Sequence, residues 1–422
     1  MPILFRRPSD GHEPATTELA PVTGTKRGIA EVLRDRQLTA DFQPVVNLDS
    51  GDTVGYAGLV RGATGTPFGT PDALTAAAGA AGLAGELEPL AHAVAIEAAL
   101  AARLNPQTAL FVSGTPAAAA DAAPETRLRV MAEISERALA ADPPATLRAV
   151  ERARSAGWGI ALADIGMATR SLAAVPLAGP DVVKVDAALL DERAHPHAPR
   201  VVTTLSEYVE RTGATLLVTG IENEGHSRLA RAVGATLGQG THVARPGVLP
   251  TVPRAPVHPI GLLRAEPAAD RTETPFGLAT ADHPAAPASA GLVTALAAHL
   301  EQRVCLDPDP TVVLACLPRN RLLSGAGLPA LHMLARNAGY LAALVGDLPQ
   351  HPVPDVRLAR LGATDPLRKE WAVIVLGPYH SVLLTARERS ARTDPEDFSY
   401  RLVHDRATVV RAAHLLLHRL GQ

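Results

Sequence analysis

Only two cysteines occur in the 422 residues, Cys305 and Cys316, and neither belongs to a Cys-x-x-Cys pair. A disulfide framework and a cysteine-ligated zinc site are therefore excluded, and a reduced, cytoplasmic setting fits. An excess of positive charge is also missing. The formal net charge is -3, so no overall basic field points to nucleic acid or to a membrane surface as a partner. Lysine appears only at Lys26, Lys184 and Lys369. Nor is there a long hydrophobic run: the stretch from Leu90 to Leu104 is broken by His92, Glu97 and Arg103, too short and too polar to cross a bilayer. Met1 to Asp10 carries Arg6-Arg7 with no apolar run behind them, which leaves no secretion-signal pattern.

Several chemistries are missing as motifs. The glycine-rich segment Gly62 to Gly69 is not followed by Gly-Lys-Ser/Thr, which excludes a P-loop, and no Gly-x-Ser-x-Gly elbow is present. His195 and His197 flank Pro196 without a carboxylate or cysteine partner pattern and read as a solvated loop. No haem, flavin or zinc signature is visible, so no cofactor is called for on these grounds.

What is present is enough apolar sequence, 47% of residues, for two domains. Residues 1–26 are rich in Pro, Gly, Ser and Thr and read as a flexible arm. Ile29, Val32 and Leu33 give a short helix over 27–38. Apolar, β-branched runs then alternate with helical patterns: 41–48, 54–62, 109–113, 128–135, 158–165, 182–186, 215–221 and 235–240. Such runs suit strands buried on both faces, and eight of them predict a (β/α)8 barrel over 27–249. The hairpin spacing around Asp49-Ser50-Gly51-Asp52 predicts that the first strand runs antiparallel. Prolines at 250, 253, 256, 259 and 267 mark a linker over 250–273. Residues 274–422 then read as a smaller mixed α/β domain. It has helices over 289–303, 328–339 and 407–420 and strands over 311–317, 341–345, 371–376 and 381–386.

Gly55-Tyr56-Ala57-Gly58-Leu59-Val60-Arg61 resembles the Gly-Tyr-Glu-Ala-Leu-Leu-Arg strand that names the EAL family. That family consists of modified barrels with a reversed first strand that hydrolyse the bacterial messenger cyclic di-GMP. Further matches follow in family order over residues 37 to 246. The resemblance implies that Glu133 is a metal ligand and that Asp164 is the second acid of an Asp-Asp pair. It implies that Lys184 positions the catalytic water, and that Glu222 is the last acid of Glu-Gly-Val-Glu. Gln239-Gly240 matches the family's Gln-Gly pair, and Gln43 and Arg61 match positions that contact the nucleotide.

The departures fall on the metal site. Ala57 replaces the name-giving glutamate, Ser113 an asparagine, Ala163 the first aspartate of the pair and Thr219 the earlier glutamate of Glu-Gly-Val-Glu. The loop from Ile165 to Leu172 also lacks the family's second glycine and its tyrosine. Two-metal hydrolysis needs several carboxylate and amide oxygens holding ions about 3.5–4 Å apart. No intact catalytic set is expected here; Mg²⁺ or Mn²⁺ would serve only a residual phosphodiesterase, held by Glu133, Asp164 and Glu222. Those acids, with Lys184, are either relics at the barrel mouth or part of a retained ligand site. Arg61, Gln43 and Gln239 are the better ligand-binding candidates, because a guanidinium recognises phosphate without a metal.

In the second domain, Asp365-Pro366-Leu367, the run from Glu370 to Pro378 and His404-Asp405-Arg406 resemble the DICT family of sensory modules. Together the resemblances imply an inactive barrel that acts on bacterial signalling proteins or binds cyclic di-GMP under sensory control. A homodimer through the region of the altered loop is left open.

Overall fold

The structure, a computed structural model, describes residues 23–114, 127–166, 169–190, 195–250, 254–263, 272–307, 309, 311–318, 327–349, 351, 353–389 and 397–421. Most of the expected arm and parts of the expected linker lie outside these residues. Eight strands close into a barrel in chain order: β1 (Leu38–Asn47), β2 (Thr53–Gly62), β3 (Ala109–Ser113), β4 (Arg129–Ser135), β5 (Gly159–Ala163), β6 (Val182–Asp186), β7 (Thr215–Thr219) and β8 (Leu237–Gly238). As the hairpin spacing predicted, β1 runs antiparallel to both β2 and β8, and the other neighbours are parallel. The last strand is shorter than its apolar run, and backbone crowds the chain just beyond it. A Cβ on Gly240 would meet the Ile221 carbonyl oxygen at 2.2 Å, so only glycine fits there.

Side chains alternate across a strand, so each strand serves two cores. Ala57, Ala109, Phe111, Met131, Ala161, Val182, Leu217 and Leu237 fill the interior of the barrel. Their neighbours, such as Leu110, Val130, Ile160 and Val183, pack outward against the helices. The leading helix Thr23–Arg34 seats Ile29 and Leu33 against Phe68, Leu74 and Leu87.

The amino-end face of the barrel is closed by the segment expected to be a linker. Ile260 joins the interior core, and its carbonyl accepts from Arg129. Asp181 holds this end together: its carboxylate accepts from the Ile160 and Leu263 amides and pairs with Arg154 at 3.4 Å, and its carbonyl accepts from Thr215.

The second unit is a mixed sheet with order β12-β11-β10-β13-β14-β15-β9. Its strands are β9 (Ala286–Ser289), β10 (Val312–Leu317), β11 (Tyr340–Val345), β12 (Arg357–Arg360), β13 (Glu370–Leu376), β14 (Ser381–Glu388) and β15 (Asp397–Val403). Strands β9, β12 and β15 were not anticipated; the first two are short, and β9 carries a proline. Alternation again sorts the side chains. Val313, Leu317, Val373 and Val375 face the helix Ala290–Leu306, whereas Val312, Leu314, Ile374 and Leu376 face the helix Arg406–Leu420. That last helix lies between the sheet and the barrel helix Pro143–Ser155, and its Val409, Ala412 and Leu416 belong to the core that surrounds the barrel. The two units are therefore joined by a continuous apolar core.

Asp181→Ala leaves the Ile160 and Leu263 amides without their acceptor and Arg154 without its carboxylate partner. We expect a loss of about 3–5 kcal/mol of unfolding free energy, read from the midpoint and slope of a urea titration; a midpoint shift of zero would show that the plug contributes nothing.

Candidate functional site at the barrel mouth

Period-two alternation decides which side chains reach the carboxyl-end mouth. Two residues beyond the interior positions Phe111, Met131, Ala161, Val182, Leu217 and Leu237 come Ser113, Glu133, Ala163, Lys184, Thr219 and Gln239. These include most of the positions singled out from the sequence. Parallel pairing sets Ser113 beside Glu133, Glu133 beside Ala161, and Asp186 beside Thr219.

Glu133 and Lys184 are both buried and form an ion pair. The second oxygen of Glu133 accepts from the Ser113 hydroxyl at 2.6 Å. The Lys184 ammonium also stands 5.4 Å from the centroid of the Phe111 ring. Strand β5 separates β4 from β6, and its Ala161 and Ala163 are small enough to let the lysine reach across. Both Glu133 oxygens are thus engaged by donors from the chain itself. The end of β3 is pinned by His92, whose Nε2 donates to the Ser113 carbonyl at 2.9 Å.

The other positions separate into distinct neighbourhoods. Ala57 lies in the interior beside Phe111 and opposite Gln43 on β1, and contributes a methyl group only. Gln239 Nε2 donates to Gln43 Oε1 at 2.8 Å, closing the seam between β8 and β1. Gln239 Oε1 is buried without a hydrogen-bond partner. Arg61 is gripped by Asp41, with Nε to Oδ2 at 2.7 Å and Nη2 to Oδ1 at 3.4 Å, and Nη1 donates to Thr64 at 3.0 Å. The hydrogen bond to Asp41 raises the pKa of the guanidinium. Sequence reasoning missed Asp41; the hairpin register, which sets Thr39 opposite Arg61 and Asp41 opposite Leu59, was the signal that could have found it.

Asp164 and Glu222 are exposed at the rim, and among the described residues no hydrogen bond or ion pair joins either carboxylate to Glu133. Asp164 has φ +60, in the left-handed region that aspartate tolerates better than most residues. Thr219 donates to the Val185 carbonyl at 3.4 Å. Met167 and Ala168 of the altered loop lie outside the described residues; Leu172, at its end, is buried. His195 and His197 are exposed, as read from their flanks.

A pair of divalent cations does not fit this arrangement. Among the described residues, no group of three or more His, Cys, Asp or Glu side chains could hold a metal ion. A cation at Glu133 would have to displace an ammonium and a hydroxyl, with Ala57 and Ala163 offering no oxygen in return.

An eight-stranded barrel with a reversed first strand and its candidate site at the carboxyl ends of the strands defines a modified (β/α)8 barrel. The family model of the EAL domain matches residues 27–246, more than half of the chain, and the chain belongs to that family. Among solved structures, it is similar to the EAL domain of FimX from Xanthomonas citri in complex with c-di-GMP, at 17% identity, covering 55% of this chain and 96% of that one, with a TM-score of 0.47. FimX from Pseudomonas aeruginosa bound to c-di-GMP gives 20%, 53%, 97% and 0.45, and the manganese complex of BlrP1 from Klebsiella pneumoniae gives 23%, 50%, 56% and 0.44. No curated protein matches the chain. Among the described residues no helix is long and apolar enough to cross a membrane.

Replacing Lys184 by Met strands the Glu133 carboxylate in the mouth. The single variant should lose about 3–5 kcal/mol of unfolding free energy, and the double variant with Glu133→Gln considerably less. Equal losses in the two, measured by urea unfolding, would mean that the pair is not coupled.

Proposed function

We propose that this protein is a catalytically inactive EAL-type signalling module that acts by binding, under the control of its C-terminal unit. The observation that carries this reading is the Lys184–Glu133 pair, which satisfies the buried Glu133 carboxylate at the mouth from within the chain. Metal catalysis is sensitive to far smaller changes: losing an outer partner of a metal ligand costs about 10–100-fold. Here Ala57 and Ala163 remove carboxylates outright, and Ser113 and Thr219 replace an amide and an acid.

Of the two binding modes, a bacterial signalling protein as partner is favoured over intact cyclic di-GMP. Arg61, the best phosphate donor at the mouth, is already committed to Asp41. Residues 274–422 act as the DICT-like input and 27–249 as the output, joined by 250–273, in a cytoplasmic protein. Coupling has a physical route. Arg357 on β12 bonds Asp142 at 2.8 Å, and Asp142 caps the helix Pro143–Ser155. The helix Glu136–Ala141 leads from Asp142 back to β4 and Glu133. His418 with Glu151 and Arg200 with Asp309 add further contacts between the units. The second reading is a weak or remodelled phosphodiesterase that uses Glu133, Asp164 and Glu222 with Lys184 and Mg²⁺ or Mn²⁺. It is favoured by the exposed carboxylates of Asp164 and Glu222 at the rim.

Calorimetric titration of cyclic di-GMP into the full chain with Mg²⁺, followed by chromatography, separates these readings. We expect the nucleotide to be recovered intact, whether or not it binds. Linear pGpG that forms with the full chain and vanishes in Asp164→Ala would overturn the inactive reading. Restoring Ala57→Glu, Ser113→Asn and Ala163→Asp together should return measurable Mn²⁺ affinity; none at all would show that the mouth geometry, and not only its ligands, has changed.

A further inference from the structure

A cavity of about 1300 Å³ lies between the barrel and the second sheet. Its walls come from the helices Pro143–Ser155 and Ala198–Thr212 on one side and Arg406–Leu420 on the other. This exceeds the roughly 300–1,000 Å³ of common ligand pockets, so a nucleotide-sized molecule fits together with water.

Five arginines line the cavity, and four are neutralised. Arg154 pairs with Asp181, Arg211 with Glu207 at 2.7 Å, Arg387 with Glu370, and Arg411 with Glu273 at 3.1 Å. The acids that line the same space are engaged as well, Glu273 by Arg411 and Glu151 by His418. Arg406 is the exception. Its Nη2 donates to the Gly377 carbonyl at 2.8 Å, its Nε is buried with no acceptor, and among the described residues no carboxylate forms an ion pair with it. The neighbouring Asp405 cannot supply one, because its carboxylate caps the helix through the Thr408 amide and hydroxyl at 2.9 and 2.8 Å. Burial and, less strongly, the nearby Arg211 lower the Arg406 pKa, against partial offsets from Glu207 and Tyr208, to about 10 in all. A partly buried guanidinium without an ion-pair partner is unfavourable, and an oxyanion presenting two oxygens to its fork relieves that cost.

We propose that this cavity binds a small organic anion whose phosphate or carboxylate group docks on Arg406 beside Arg211, with its body against Tyr208 and the apolar wall of Leu147, Val150 and Val410. Arg211 belongs to the barrel and Arg406 to the second unit, so such a ligand bridges the two. That this bridging regulates the output rests on the function proposed above; the binding itself does not.

Calorimetric titrations of ADP, pyrophosphate and citrate into the full chain, without divalent metal, test the site and separate a phosphate from a carboxylate preference. At least one should bind saturably. Arg406→Gln should weaken it roughly tenfold or more, as should Arg211→Gln from the opposite wall, while Arg360→Gln on the exposed strand β12 should not. If Arg406→Gln fails to fold, Arg211→Gln decides. No saturable binding by any of the three anions, or unchanged affinity in the folded wall variants, would overturn the proposal. Cyclic di-GMP titrated into the same variants reports on the barrel mouth separately, so failure at one site is distinguishable from failure at the other.

Discussion

A strand buried on both faces must satisfy two cores at once, and the barrel rests on that constraint. The interior admits only what eight converging strands leave room for, which is why Ala57, Ala109 and Ala161 alternate there with Phe111 and Met131. Because the period is two, a side chain two residues beyond this packed layer must also point inward, at the mouth. Glu133 and Lys184 are placed there by geometry before any chemistry is considered, and once there they must be neutralised. The ion pair between them is the consequence.

That pair also sets the charge balance of the mouth. A mouth lined by several carboxylates needs cations to hold it together; a mouth with one buried acid needs a single ammonium. Ala57 and Ala163 bring no charge to the mouth, and Ala163 keeps open the path by which the lysine crosses β5. Arg61 is likewise held by a carboxylate of the chain itself, Asp41 on the neighbouring strand. The mouth is electrostatically self-sufficient in both places, whereas the cleft behind it holds an arginine that is not.

Much of the fold was legible. The β-branched runs announced every barrel strand, since parallel strands covered by helices are apolar throughout, and a four-residue turn announced the reversed first strand. The strands β9 and β12 were not legible, because four-residue edge strands with polar or proline content carry little pattern. Ile260 was hidden for a different reason: a single apolar residue among prolines has no periodicity, and only the open end of a barrel gives it a place.

The sequence by itself determined the barrel and which residues alternation carries beyond its packed interior, because periodicity is a local property of the chain. Tertiary structure alone decided which partner each charge would take. Glu133 lies 51 residues from Lys184 and Asp142 lies 215 from Arg357, and no local pattern spans such distances. The same holds for Arg406, whose nearest acid in sequence is turned away by the helix it caps, so that its charge is left facing a cleft that exists only once both units have folded together.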